Sequence, residues 1–407
     1  MPFSLKVIFY RVLMALLKLV TVLIPAPKPT IYSGSGSAIK MCTTISHFGA
    51  NKLLIVTDEM IVKLGLLDEI IAELDKLGIA YAVFDKVVPD PSYGVVDAGV
   101  KAAIESKSDS ILAIGGGSSL DAAKIIAAKL TNPKPINKLT GILKLKEPCV
   151  PLFVIPTTAG TGSETTIAAV VSDPNTNQKT PVIDPKLVPI AAALDPDLML
   201  GLPPAITAAT GMDALTHAIE SYLSMHASPE TDNYALAAVK MIMQHLPTCY
   251  ENGQDKEARE AMALASFYGG AAFTKANLGY VHAIAHQFGA LYHTPHGLAN
   301  AIVLPYVLDY SLPASQARMA DLAVAIGVGN RNESNVELAQ KFVAAVKELN
   351  EKIGIPTSLA ALKADDVDTI AKEALKEAHY LYPVPRYMDT EQCVQIVQQM
   401  LPSASPA

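Results

Sequence analysis

"SILAIGGGSSLDAAK", residues 110–124, runs from an apolar, β-rich stretch through three glycines into a helix-forming one. Strand, glycine turn and helix make the first half of a βαβ unit, and consecutive glycines leave backbone N–H groups uncovered by side chains. The start of the following helix adds a field that favours anions. Ser118 or Ser119 is placed to cap that helix, and Asp121 in its first turn suits the same dipole.

The surrounding chain repeats this rhythm. "KLLIVTD" (52–58) reads as a buried strand, "LLDEIIAELDKLG" (66–78) as a helix and "AYAVFDKV" (80–87) as a second strand. "VVDAGVKAAIESK" (95–107) reads as a helix before the opening strand, and "PLFVIPTT" (151–158) as a fourth strand. Such alternation implies a doubly wound parallel sheet covered by helices on both faces. After "LDPDLMLGLPP" (194–204) the rhythm changes to long Ala/Leu/Met-rich segments at helical spacing. We expect helix breaks there at Pro247, Gly289, Pro295, Pro305, Pro313 and Pro356. The expected division is an N-terminal extension (1–28), an α/β dinucleotide-binding domain (29–199) and an all-α metal-binding domain (200–402). Only the tail "PSASPA" looks unstructured.

A second glycine-rich turn, "PTTAGTGSE" (156–164), sets two glycines, four hydroxyls and a carboxylate after a strand. Two such turns in one sheet suit a dinucleotide. Asp58, ending the first strand, is placed either to cap a helix or to accept hydrogen bonds from an adenosine ribose. The second role favours NAD over NADP.

"GMDALTHAIE" (211–220) sets Asp213 and His217 four apart, on one face of a helix. A buried carboxylate needs a partner. "GYVHAIAHQFGALYHTPHG" (279–297) carries His282, His286, His293 and His296, four of the nine histidines of the chain. His282 and His286 are again four apart, and His296 sits at a bend. One carboxylate with three imidazoles suits a divalent first-row ion.

Together "GMDALTHAIE", "HAIAHQFGALYHTPHGLANAIVLP", "GGGSSLD" and "PTTAGTGSE" resemble the iron-containing (group III) alcohol dehydrogenases, from about residue 29 onward. The resemblance implies a dehydroquinate synthase-like architecture and NAD-dependent oxidation of an alcohol to an aldehyde or ketone. It implies a divalent metal, Fe(2+) first and Zn(2+) second, held by Asp213, His217, His282 and His296. His286 would serve catalysis without ligating, and Phe273 would line the substrate pocket. Gly115, Gly116, Gly117 and Ser118, with Asp121, Thr157, Thr158, Thr161 and Ser163, would hold the nucleotide beside Asp58. A homodimer or larger homo-oligomer is implied as well. Lys275, Tyr306 and the additional His293 depart from the family pattern. The rival readings are a glycerol dehydrogenase-like or dehydroquinate synthase-like enzyme of the same fold, and a non-catalytic membrane-associated scaffold.

Composition narrows the partners. Of 407 residues, 50% are hydrophobic and 17% charged, with a net charge of −7 and no basic stripe, which argues against nucleic acid. Four scattered cysteines without a CxxC pair fit a reducing, cytoplasmic setting. Residues 7–24, "VIFYRVLMALLKLVTVLI", are apolar except for Arg11 and Lys18. Ser4, Arg11 and Lys18 fall seven apart, as one narrow polar stripe on a helix. An interfacial membrane helix, a helix packed on a partner subunit, and a true span or signal peptide are the competing expectations. No A-x-A site follows, which weighs against the signal peptide.

Overall fold

The computed structural model describes residues 2–23, 27–174 and 179–402; most of the tail "PSASPA" lies outside the described residues. The chain forms two units. One comprises Pro25–Leu202 with Gln254–Gly270, the other Met1–Ile24, Pro203–Gly253 and Ala271–Ala407.

In chain order the elements begin with α1 (Phe3–Leu23), β1 (Thr30–Ser33), α2 (Ser37–Phe48), β2 (Lys52–Val56), α3 (Glu59–Lys63) and α4 (Asp68–Lys76). Then come β3 (Ala80–Phe84), α5 (Tyr93–Ser106), β4 (Ser110–Gly115), α6 (Gly117–Thr131), β5 (Gly141–Ile142) and β6 (Leu152–Pro156). The strands end with β7 (Ala168–Ser172), β8 (Lys179–Ile183) and β9 (Ala191–Leu194). Helices follow: α7 (Pro204–Leu223), α8 (Pro229–Glu251), α9 (Lys256–Ala276), α10 (Tyr280–Tyr292), α11 (His296–Ala325), α12 (Asn335–Lys352), α13 (Val367–Leu381) and α14 (Thr390–Gln398).

The sheet unit is doubly wound. Its six-stranded sheet has the order β1-β9-β6-β4-β2-β3, with every adjacent pair parallel. Leu54, Val56, Ile111 and Ala113 share one core with Val96, Leu120 and Ile126 of α5 and α6. Leu53, Ile55, Leu112 and Ile114 share another with Met41, Ile45, Ile70 and Leu74 of α2 and α4. Residues alternate between these cores because side chains on a strand alternate faces. Burial on both faces explains why the central strands read as continuous apolar runs.

Some elements were not anticipated. The edge pair β1 and β9 is short, and a second, three-stranded sheet (β5-β8-β7) carries an antiparallel pair. Neither Ser118 nor Ser119 caps α6: its N-cap is Gly116, without a side-chain hydrogen bond, and Asp121 lies beyond the first turn. Helices also run through Pro247, Gly289, Pro305 and Pro313. Proline 305 removes the N–H that would serve the Ala301 carbonyl, and Asn350 Nδ2 of α12 donates to that carbonyl instead at 2.7 Å. Pro295 and Pro356 do lie outside helices, Pro295 as the N-cap of α11.

Helix α1 packs on its own unit through Phe3, Tyr10 and Met14. The Tyr10 ring lies 4.7 Å from that of His379 on α13, and His226 Nε2 is 2.8 Å from the Met14 carbonyl. Lys18 donates to the Met225 carbonyl at 3.0 Å. Of the polar stripe, Ser4 and Arg11 are exposed, while Lys18 is used to fix the helix. Among the described residues no helix is long and apolar enough to cross a membrane.

Candidate metal centre and nucleotide turns

Helix α7 delivers Asp213 and His217 one turn apart, α10 delivers His282 and α11 begins with His296. One ligand atom from each lies within 4.8 Å of every other. The three Nε2 atoms stand 3.8 Å (His217), 3.7 Å (His282) and 3.5 Å (His296) from one oxygen of Asp213. That is too long for hydrogen bonding. It matches the spacing around a small divalent ion, whose bonds of about 2.0–2.2 Å separate ligand atoms by roughly 3.3–3.6 Å. Three imidazole lone pairs and a carboxylate, nearly all buried, form a donor set that suits such a cation.

The supporting shell is as specific. His282 Nδ1 donates to Glu220 Oε2 at 2.7 Å, so its Nε2 lone pair faces the cluster. Glu220 also accepts from the Gly279 N–H at 2.9 Å and the Val281 N–H at 2.7 Å, fixing the start of α10. Asn300 Nδ2 donates to Asp213 at 2.7 Å and lies 3.1 and 3.2 Å from the Nε2 atoms of His282 and His296. Burial alone would raise the Asp213 carboxyl, yet His217, with His296 and His282, draws it far below the usual carboxylate range. Burial opposes charging of His282, but the carboxylates of Asp213 and Glu220 beside it lift it to about 9.

His286, one turn after His282, donates from Nδ1 to Glu377 Oε1 at 2.7 Å, and Tyr382 donates to the same oxygen at 2.6 Å. Burial would raise Glu377, but His286 opposite holds it below its ordinary value. The His286 ring stacks on that of His296, with centroids 5.3 Å apart. Phe273 stacks on His217 at 4.4 Å. Lys275 is tied to Glu230 at 2.6 Å, Tyr306 donates to the Thr357 carbonyl, and His293 is the exposed, left-handed C-cap of α10.

Glu220, Asn300 and Glu377 were not among the residues singled out from sequence. Two carried a usable signal: Glu220 lies two turns beyond Asp213 on α7, and Asn300 one turn beyond His296. Glu377 carried none, being 91 residues from His286.

In the sheet unit the two glycine turns follow adjacent strands, with Gly115 in register with Pro156. Asp58 follows β2, on the other side of β4, where the order of connections reverses and ligands of open sheets gather. Its Oδ1 accepts from Met60 and Ile61 N–H as the N-cap of α3. A Cβ on Gly117 would stand 2.5 Å from Thr161 Oγ1, and one on Gly162 (φ +64°) would stand 2.7 Å from the Gly270 backbone. Both glycines are therefore required by close packing. Gly116, Gly117, Ser118, Thr158 and Thr161 remain part-exposed, while Gly115, Thr157 and Ser163 are buried. Asp121 is committed elsewhere: it accepts from Ser163 Oγ at 2.6 Å and from the Val170 N–H at 2.9 Å, tying the second turn to α6.

With this geometry in place, comparison with known proteins is direct. Residues 27–196 match the iron-containing alcohol dehydrogenase family and residues 207–401 its C-terminal part. The NAD-dependent methanol dehydrogenase of Bacillus methanolicus is 39% identical over 375 residues, 92% of this chain and 98% of that one. A solved 1,3-propanediol oxidoreductase superposes with a TM-score of 0.90 at 37% identity, covering 93% of this chain and 99% of the other. The sulfoacetaldehyde reductase of Bifidobacterium kashiwanohense, solved with NAD+, gives 0.85 at 28% identity over 93% and 98%. The chain belongs to the iron-containing alcohol dehydrogenases.

Proposed function

We propose that the chain is an NAD-dependent alcohol dehydrogenase that interconverts a small alcohol and its aldehyde or ketone. The observation that carries this reading is the convergence of Asp213, His217, His282 and His296 within 4.8 Å in a chain of this family. These four hold a divalent ion, iron(II) first and zinc second. The ion, when bound, supplies Lewis acidity toward an alcohol oxygen, and NAD supplies the hydride acceptor. Residues 200–402 carry the metal chemistry and residues 29–199 the nucleotide.

The chain's own groups do the rest. Glu220 fixes the His282 tautomer, and Asn300 orients the Asp213 carboxylate. His286, its Nδ1 held by Glu377, keeps Nε2 for proton exchange with the substrate hydroxyl. The N–H groups of Gly116, Gly117 and Ser118 receive the pyrophosphate at the start of α6, with Thr158 and Thr161 beside them. Asp58 is placed for the adenosine ribose and against a 2′-phosphate. Phe273, stacked on His217, bounds the substrate side.

Glycerol dehydrogenase-like and dehydroquinate synthase-like chemistry, and a non-catalytic scaffold, are the alternatives. Elemental analysis of the purified protein, followed by alcohols of increasing length with NAD and NADP, separates them. We expect one divalent ion per chain and NADH formation from a simple alcohol. No alcohol-dependent NADH from metal-loaded protein would overturn the reading.

The same reading places the protein in the cytoplasm as a homo-oligomer, with a peripheral membrane contact through residues 7–24. Among the described residues the four cysteines form no disulfide, and burial pushes the thiols of Cys42, Cys149 and Cys393 up to about 12, as befits inert thiols in a reducing compartment. The membrane contact is supported by a run of exposed apolar side chains on α1, from Leu5 to Leu19.

A further inference from the structure

Helix α1 is apolar on two sides. One side is used: Tyr10 and Met14 are buried, and Lys18 and His226 bond across the same contact. The opposite side carries Leu5, Ile8, Phe9, Val12, Leu16 and Leu19, each between 51% and 61% exposed. Single exposed apolar residues need no explanation, but six in one stripe do. Tyr380 of α13, 49% exposed, lies 5.5 Å from the Tyr10 ring, on the packed side of the helix.

Resting on the peripheral-contact reading, we propose that this face of α1 is a membrane-docking surface. The stripe lies shallowly in the interface of a lipid monolayer, and the buried side fixes its orientation on the helical unit. Two features favour lipid over protein as the occupant. Protein interfaces carry about one hydrogen bond per 100–200 Å², and the six outward side chains offer none. At 100° per residue, Lys6 and Arg11, both exposed, fall on opposite flanks of the stripe, each about 110° from its centre. Long cationic side chains beside an apolar face reach phosphate headgroups while their stems stay in the acyl boundary.

The sequence contains no tryptophan, so one introduced at Phe9 or Leu16 is a unique fluorophore. The full chain carrying F9W or L16W is mixed with phosphatidylcholine vesicles containing one fifth phosphatidylglycerol, with I104W in the sheet unit as control. We expect co-flotation, a blue shift of both α1 probes and their quenching by brominated phosphatidylcholine, with I104W silent. The double variant I8D/V12D binds vesicles about tenfold more weakly or worse, with unchanged melting temperature and NADH formation. Absence of flotation overturns the membrane contact altogether. Flotation with silent F9W and L16W overturns this face while leaving a contact elsewhere. If I8D/V12D instead halves the mass in light scattering and leaves vesicle binding alone, the occupant is a second copy and the proposal fails.

Discussion

Two clusters of buried ionisable groups, one in each unit, show different relations to their surroundings. In the sheet unit Lys124 donates to the Thr166 carbonyl, Thr166 Oγ1 and the Ala168 carbonyl, each at 2.9 Å. Asp121 beside it has both oxygens occupied by Ser163 and Val170. Every strong polar atom there is answered from within the protein, and the result is a staple between α6 and the second glycine turn. In the helical unit three imidazoles and a carboxylate aim acceptors at one point, and Asn300 brings a single amide nitrogen to them. Buried charge that satisfies itself is architecture. Three imidazoles and a carboxylate that converge on one point specify a cation.

His217→Ala tests the second half of that contrast most severely. It leaves three ligands, and turnover with the loaded enzyme should fall by more than about 100-fold, beyond the 10–100-fold typical of losing an outer partner. Elemental analysis should show metal lost while NAD binding by calorimetry persists. Full metal content and normal turnover would break the assignment.

Lys124→Met tests the first half. It preserves volume but leaves the Thr166 and Ala168 carbonyls without their ammonium donor and Asp121 without a cation nearby, so it should cost about 3–5 kcal/mol in urea unfolding. Metal content per folded chain should not change. A variant as stable as the parent would show that the staple is ornamental, and the comparison would lose its architectural side.

Glu220→Gln sharpens the boundary between the two kinds of cluster, because Glu220 serves both fold and site. The amide keeps one acceptor for the start of α10 but no longer receives the His282 N–H with a charge. Metal affinity, measured by competition with a chromogenic chelator, should fall about 10–100-fold. Restoration of affinity by Glu220→Asp and a smaller change in melting temperature would distinguish positioning from packing. Equal affinity for parent and Gln variant would reduce Glu220 to a helix cap.

How much of this was legible in the sequence follows from how local each signal is. Asp213 with His217, and His282 with His286, announce themselves by four-residue spacing on single helices. The central strands β2, β4 and β6 are legible because burial on both faces forces continuous apolar runs. The strand β9, "AAAL", is not, since alanine favours helix and only pairing with β1 and β6 makes it extended. Helix α11 survives Pro305 because Asn350 arrives from another helix, which no local pattern reveals. The pairing of His286 with Glu377 is likewise made by tertiary packing of α10 on α13. On α1 the polar stripe was legible, but the Met225 carbonyl that Lys18 reaches is brought by tertiary packing and leaves no local pattern.

The smallest expected effect concerns Glu164, buried beside the sheet-unit staple. Burial lifts its carboxyl from 4.5 to about 7, against the pull of Lys124. The folded state therefore holds a proton that the unfolded chain releases between these values. Its stabilising share is complete below about 4.5 and is lost as the pH rises through about 7. Lys124, lowered by burial to about 8, acts in the other direction and in a higher window, losing stability as the pH falls from 10.5 through 8. Glu164→Gln removes the first contribution alone. Melting temperatures at pH 5 and pH 7.5 should then differ less in the variant than in the parent, with the metal centre unaffected. An identical pH slope in both proteins would mean that Glu164 is ionised when folded, with Lys124 fully compensating it, and the sheet-unit cluster would then be a salt bridge rather than a hydrogen-bonded staple.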